Sequence, residues 1–208
     1  MFTKLKEIEK WVDKIRTWWK QRNIPQEIAE TVLQHSKKVA KAAEIYGKHI
    51  PNITMEKLIK MGKRHDVAEY KEKDYVPWEI SEDEKYRREK TVIIELQEYF
   101  WKKCELLHIR IEFEEQKTQE AIIIKNLDKL DAAVQAMEYE KLWHHNVTTF
   151  YTWTLWKLND PILIHILHIL LKKEYSHINS YDQYFALLEC NGDETIFKEK
   201  MKKYDHKK

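Results

Sequence analysis

Glycine and proline are so scarce in this chain that it can build few sharp turns: 3 Gly and 4 Pro occur in 208 residues. Average usage is roughly 7% and 5%. A β-sandwich or a doubly wound sheet needs turn residues at close intervals, whereas long helices need few. The expected fold is therefore all-α. The length suits one domain with a sizeable core, and 43% hydrophobic with 35% charged residues is a globular composition, not a disordered one.

Charge and cysteine usage exclude several function classes. Lys plus Arg number 37 and Asp plus Glu 35, a net charge of +2, so there is no general electrostatic reason to bind nucleic acid or an anionic membrane. Cys104 and Cys190 are too few for a disulfide framework and have no metal-ligand spacing. The first twenty residues carry Glu7, Glu9 and Asp13 and lack an apolar run, which fits neither a secretory signal nor a transit peptide. The most apolar stretch, 161–171, contains His165 and His168 and is too short to span a bilayer. A cytoplasmic protein with no membrane or nucleic-acid partner is expected.

Apolar spacing places the helices. Leu5, Ile8, Trp11, Val12, Ile15, Trp18 and Trp19 predict a first helix over 4–20, broken at Asn23-Ile24-Pro25. Pro25 suits the first turn of a second helix reaching Tyr46, with Gly47 as its stop. Thr54 opens a short third helix that leads to His65-Asp66. The polar stretch 70–80, with Pro77, reads as a loop. Ser81 and Glu84 form a capping box for a helix to about Phe100. Further helices are predicted over 117–143, 148–157 and 161–174, the last opened by Asp160-Pro161. The more polar 175–208 reads as an extension, with a terminal helix over 193–204 and a frayed end.

One constellation carries chemistry. His35 lies within a predicted helix, the His65-Asp66 pair ends another, and Asp128 sits in the apolar stripe of a third. Imidazole nitrogens and carboxylate oxygens together suit a borderline divalent cation and leave coordination positions open for hydrolysis. Each residue alone has a plainer reading: a packed histidine, a chance dipeptide, a surface carboxylate. The order H, HD, D on helices is more specific than any of its parts. Asp131, one turn after Asp128, is a rival for the last place.

The segments around these residues resemble a known family. HDVAEYKEKDYVP (65–77) resembles the pattern HD-x-x-E-x4-D-x-x-P of HD-domain 5′-deoxynucleotidases. KYRRE (85–89) is similar to K-x-R-R-E, and NLDKLDAAVQAMEYE (126–140) to LDQ-x-E followed by LQA-x-EYE. TFYTWTLWKLNDP (149–161) resembles FY-x-S-T-x-x-KF-x-x-P, and RTWW (16–19) resembles RTGW. The five stretches run in collinear order over about 16–174.

The resemblance implies a single HD-domain helical bundle over 1–174 with the 175–208 extension. It makes His35, His65, Asp66 and Asp128 the ligands of one divalent metal cation, from among Mn²⁺, Co²⁺, Fe²⁺, Zn²⁺ and Mg²⁺. Asp131 then stands behind them. Glu69 becomes the general acid/base, and Asp74 a second catalytic or substrate-orienting carboxylate. Arg16 contacts the substrate phosphate, where its bidentate geometry fits, and Trp19 packs near the sugar. The implied reaction is hydrolysis of a small-molecule nucleotide, a deoxyribonucleoside 5′-monophosphate.

Alternatives remain at this level. Triphosphohydrolysis of dNTPs uses the same metal core, and a non-catalytic HD-fold scaffold would keep the helices alone. Guanosine tetraphosphate hydrolysis is disfavoured because Tyr70 stands where that branch has Asp. The eight tryptophans, Trp143, Trp153 and Trp156 among them, mark either an oligomer surface such as a homodimer or core aromatics. Arg87, Arg88 and Glu89 read as ion-pair formers, and His144, His145, His165, His168 and His177 as structural. Lys63-Arg64 replace an apolar residue before the His-Asp pair, so either they snorkel outward or they add positive charge to the pocket. Lys73 replaces a glycine before Asp74.

Overall fold

The computed structural model describes residues 14–73, 75, 79–99 and 106–205, and among them ten α-helices form the architecture. The β pairing among the described residues is a single antiparallel bridge between Ile15 and Thr31. The helices are α1 (Thr17–Gln21), α2 (Val32–Tyr46), α3 (Met55–Arg64), α4 (Glu82–Tyr99), α5 (Leu106–Glu115), α6 (Gln119–Lys141), α7 (Thr149–Lys157), α8 (Pro161–Leu171), α9 (Ser180–Glu189) and α10 (Glu194–Asp205). No helix among the described residues is long and apolar enough to cross a membrane.

Local chemistry explains most boundaries. Thr31 caps α2 in a full capping box, its hydroxyl accepting from the Gln34 amide while the Gln34 side chain accepts from the Thr31 amide. That box starts the helix at Val32, seven residues later than the position of Pro25 suggests. Pro25 instead accepts from the Ile28 and Ala29 amides in a turn. The predicted helix over 4–20 lies outside the described residues before 14, and 14–16 are not helical. Arg16 N donates to Glu30 O at 3.1 Å and Val32 N to Lys14 O at 2.9 Å, so this segment is held extended alongside 30–32. Ser81 caps α4 as predicted, accepting from Glu84 N, and Asp160 caps α8 through the Ile162 and Leu163 amides.

Helix α6 is the axis of the molecule. It carries Ile124, Leu127, Leu130, Ala133 and Val134 into the main core, all fully buried, against Val39, Ala43 and Tyr46 of α2 and Leu58 and Met61 of α3. Each such side chain taken from water is worth roughly 1.5–3 kcal/mol. The capping of α3 also comes from α6, because the Thr54 amide donates to Glu120 Oε1 at 3.0 Å. Helices α2 and α3 cross closely at Gly62, where an added Cβ would stand 3.0 Å from Ala40 Cα. Gly47 ends α2 without a left-handed turn: its φ is −57° and it continues into a 3₁₀ turn, Gly47–His49. Space explains it, since a Cβ there would lie 2.8 Å from Leu58 Cδ2.

The segment 175–205 joins the same core. Tyr184, Leu187 and Leu188 of α9 and Phe197 and Met201 of α10 belong to the main cluster. A second cluster contains Trp18, Trp19, Tyr139 and Phe150. The third packs Val67 and Ala68 against Val92, Ile93, Leu96 and Leu106, which fixes the turn following the His-Asp pair.

Candidate metal centre

Three helices deliver the predicted ligands to one point. His35 lies one turn into α2, His65 caps the C-terminus of α3 with Asp66 beside it, and Asp128 comes from the middle of α6. One donor atom from each of the four lies within 4.8 Å of all the others. His35 Nε2 is 3.1 Å from Asp128 Oδ1, 3.5 Å from Asp66 Oδ2 and 3.3 Å from His65 Nε2. His65 Nε2 is 3.2 Å from Asp66 Oδ2.

The other nitrogen of each ring is already engaged. His35 Nδ1 donates to Asp131 Oδ2 at 2.7 Å, and His65 Nδ1 donates to the Gly62 carbonyl at 2.9 Å. Both Nε2 atoms are thereby turned inward, the arrangement found when an outer acceptor fixes the tautomer of a ligating histidine. Two inward nitrogens 3.3 Å apart, faced by two carboxylates, are a donor set that fits a divalent cation. Asp128 and Asp131 both reach His35, from opposite edges of its ring, because residues three apart share one face of α6.

The charges are consistent with that fit. Burial alone would deprotonate His35, and Arg16 pushes the same way, yet the hydrogen bonds to Asp128 and Asp131 raise its pKa to about 10. His65 is likewise raised against burial by Asp66 and Asp128. Burial opposes ionisation of Asp66 and Asp128, but the imidazoles, and Lys129 beside Asp128, hold both carboxyls well below their ordinary range. A divalent cation held here would compete with protons for the two imidazoles, so its binding would be coupled to proton release.

The cluster borders a cavity of about 520 Å³, lined by Asp66 and Asp128 and by Glu69, Arg16, Lys85, Lys125 and Lys129 among others. Glu69 sits in the 3₁₀ turn Val67–Tyr70, its amide donating to Asp66 O at 3.0 Å, and its side chain is buried with Lys85 Nζ 3.9 Å away. Arg16 is also buried, 3.7 Å from Glu30 and stacked over Trp18 at 5.2 Å. Asp74 lies outside the described residues.

Trp19 does not line this cavity. It is fully buried, with Nε1 donating to Glu30 Oε2 at 3.3 Å and its ring meeting Tyr139 edge-on at 4.9 Å. Its neighbour Trp18 lines the cavity instead, with Nε1 donating to Tyr75 O. The resemblance of RTWW to RTGW points to Trp19, the second of the two adjacent indoles. Lys63 and Arg64 are absent from the cavity wall, and Lys63 is exposed. Lys63 thus fits the outward reading, while Arg64 is half-buried.

Sequence reasoning missed Arg110. It is buried on α5, donates to the carbonyl of His65 at 3.0 Å, and pairs with Glu89 and, at 2.6 Å, with Glu114. It thus anchors the C-terminus of α3 where the ligands emerge. An arginine between Leu106, Ile109 and Phe113, all buried, was the available signal. Glu89 serves Arg110, whereas Arg87 and Arg88 pair with Glu84 as surface ions.

Known proteins resemble this chain in sequence and in fold. The family model described as HD domain matches residues 8–162. The chain is 31% identical over 161 residues to 5′-deoxynucleotidase HDDC2 of Dictyostelium discoideum, covering 71% of this chain and 84% of that protein. It is 29% identical over 157 residues to human 5′-deoxynucleotidase HDDC2, covering 73% of this chain and 75% of the relative. Among solved structures, a conserved hypothetical protein from Pyrococcus furiosus superposes with a TM-score of 0.62 at 24% identity, covering 75% of this chain and 88% of its own. A Pyrococcus horikoshii protein gives 0.62 at 21% identity, covering 92% and 98%; these two bear on the fold alone. The chain belongs to the HD-domain family and is a hydrolase of the HD type.

Proposed function

We propose that this protein is a metal-dependent phosphomonoesterase that hydrolyses deoxyribonucleoside 5′-monophosphates to a deoxynucleoside and phosphate. The observation that carries the reading is the His35, His65, Asp66, Asp128 cluster, whose carboxylates border a cavity that also holds Glu69, Arg16 and several lysines. The named function of the HDDC2 relatives supports the substrate.

His35, His65, Asp66 and Asp128 would hold one divalent cation. When bound, such a cation supplies Lewis acidity, drawing charge from a phosphoryl oxygen and making water a stronger acid. Arg16, held by Glu30 and Trp18, offers a preoriented guanidinium to the phosphate. Water adds to phosphorus as the P–O5′ bond breaks; Glu69, on the wall of the same cavity, takes the proton that water releases and returns it to O5′, so that a neutral deoxynucleoside hydroxyl leaves. Asp74 keeps the second carboxylate role that the family resemblance gives it. Lys85, Lys125 and Lys129 line the same wall and offset the charge of the phosphate.

The test is release of orthophosphate from dAMP by the purified protein loaded with Mn²⁺ or Co²⁺. Orthophosphate as product supports the phosphomonoesterase, whereas triphosphate from a dNTP would indicate the triphosphohydrolase reading. Asp66→Ala should bind no stoichiometric metal and lose turnover while keeping its helical circular dichroism. Unchanged turnover in that variant would sink the proposed site, and so would a wild-type protein inactive on every deoxynucleotide.

A further inference from the structure

Among the described residues, Trp156 is the one exposed large apolar side chain that also lines the catalytic cavity. It is 71% exposed. Scattered surface apolar residues need no explanation, but an indole at the rim of a polar site is a ready stacking surface. Trp143, also exposed, is not part of this wall.

Helix α7 is fixed against the metal-bearing helix. Thr154, fully buried, donates through Oγ1 to the Lys129 carbonyl of α6 at 3.1 Å. Lys129 Nζ lies 2.6 Å from Asp128 Oδ2 and 5.3 Å from the centroid of Trp153. Trp153 in turn meets Trp18 edge-on at 5.1 Å. Trp156 follows Trp153 by one helical turn on the same face. Moving outward from the cluster, the wall changes from carboxylate to ammonium to the inner indole and then to the rim indole. Lys157 Nζ stands 4.6 Å from the Trp156 ring and pairs with Glu82 at 3.3 Å, so the ring has a cation on it and open space besides. Trp18 and Trp153 also occupy positions where the motifs that resemble these stretches carry Gly and Ser.

We propose that α7 forms the nucleoside wall of the cavity, with Trp153 against the sugar and Trp156 stacking on the nucleobase. Trp156 is then a specificity-determining residue for esters that carry a base. This rests on the deoxynucleotide reading above. A phosphate near Asp128 and Lys129 leaves the rest of the nucleotide to run along α7 toward the mouth. Stacking accepts any base, because every base has a π-face, so the wall selects for a base without choosing one.

The experiment compares the metal-loaded wild type with Trp156→Ala and Trp156→Phe on dAMP and on 2-deoxyribose 5-phosphate, which lacks the base. Trp156→Ala should raise KM for dAMP about tenfold, with kcat within about twofold. Its kinetics on 2-deoxyribose 5-phosphate should match the wild type, and Trp156→Phe should recover most of the loss. If the wild type cleaves dAMP but Trp156→Ala has the same KM, the inference fails while the deoxynucleotidase reading stands. An equal loss on both substrates would assign Trp156 a purely structural role and overturn it too. A wild type inactive on dAMP removes the reading and the inference together.

Discussion

At the scale of single residues, the centre depends on groups that touch no substrate. Asp131 is fully buried and accepts from His35 Nδ1 at 2.7 Å, which fixes the ring with Nε2 toward the cluster. Outer partners of this kind typically change metal affinity by about 10–100-fold when removed. Asp131→Asn keeps the shape but loses the charge, so its affinity for Mn²⁺ should fall within that range while the fold is retained. Titration calorimetry on the metal-free protein measures it directly; an unchanged affinity would show that Asp131 serves only to pack. The pair Asp128 and Asp131 also marks a boundary of what the sequence reveals. Their spacing puts both carboxylates on one face of α6, but which edge of the His35 ring each meets depends on how α2 crosses α6.

At the scale of elements, capping and stripe patterns were legible, and crossings were not. Ser81, Asp160 and the apolar stripe of α6 specify their helices by local chemistry. Helix α5 escaped because its segment HIRIEFE alternates apolar and polar residues, the pattern of a strand. In the structure Leu106, Ile109 and Phe113 share its buried face at helical spacing, with Arg110 beside them. The approach of α3 to α2 was equally hidden, although a single glycine permits it. A Cβ on Gly62 would lie 3.0 Å and 3.2 Å from the backbone of Ala40, which cannot swing aside as a side chain can. Gly62→Val should therefore cost about 1–3 kcal/mol by overpacking, read as a lower urea midpoint. Because His65 follows three residues later on the same helix and bonds the Gly62 carbonyl, metal affinity should fall as well. A variant with wild-type stability and metal binding would show that the crossing tolerates a shift.

At the scale of the whole molecule, the question is whether 175–208 is an appendage or part of the folding unit. Its composition reads as a polar extension, because seven of the twelve residues of α10 are charged. Yet Phe197 and Met201 are buried in the cluster that also holds Leu127, Leu130 and Leu163. Phe197 meets Tyr175 edge-on at 5.5 Å, and the loop before α10 passes close to Ile162 and Ile166 of α8 at Gly192. Two apolar residues in a polar helix are enough to bind it if both are buried, and a count of hydrophobic residues cannot show this. Phe197→Ala should then remove about 3–5 kcal/mol from the stability of the entire chain. Its thermal unfolding should remain a single transition at a lower midpoint, seen equally by helical circular dichroism and by tryptophan fluorescence. Since Phe197 is not part of the cavity wall, turnover per folded molecule should be preserved. Two separate transitions, with the larger one unmoved, would mean instead that α10 folds independently of the metal-bearing bundle.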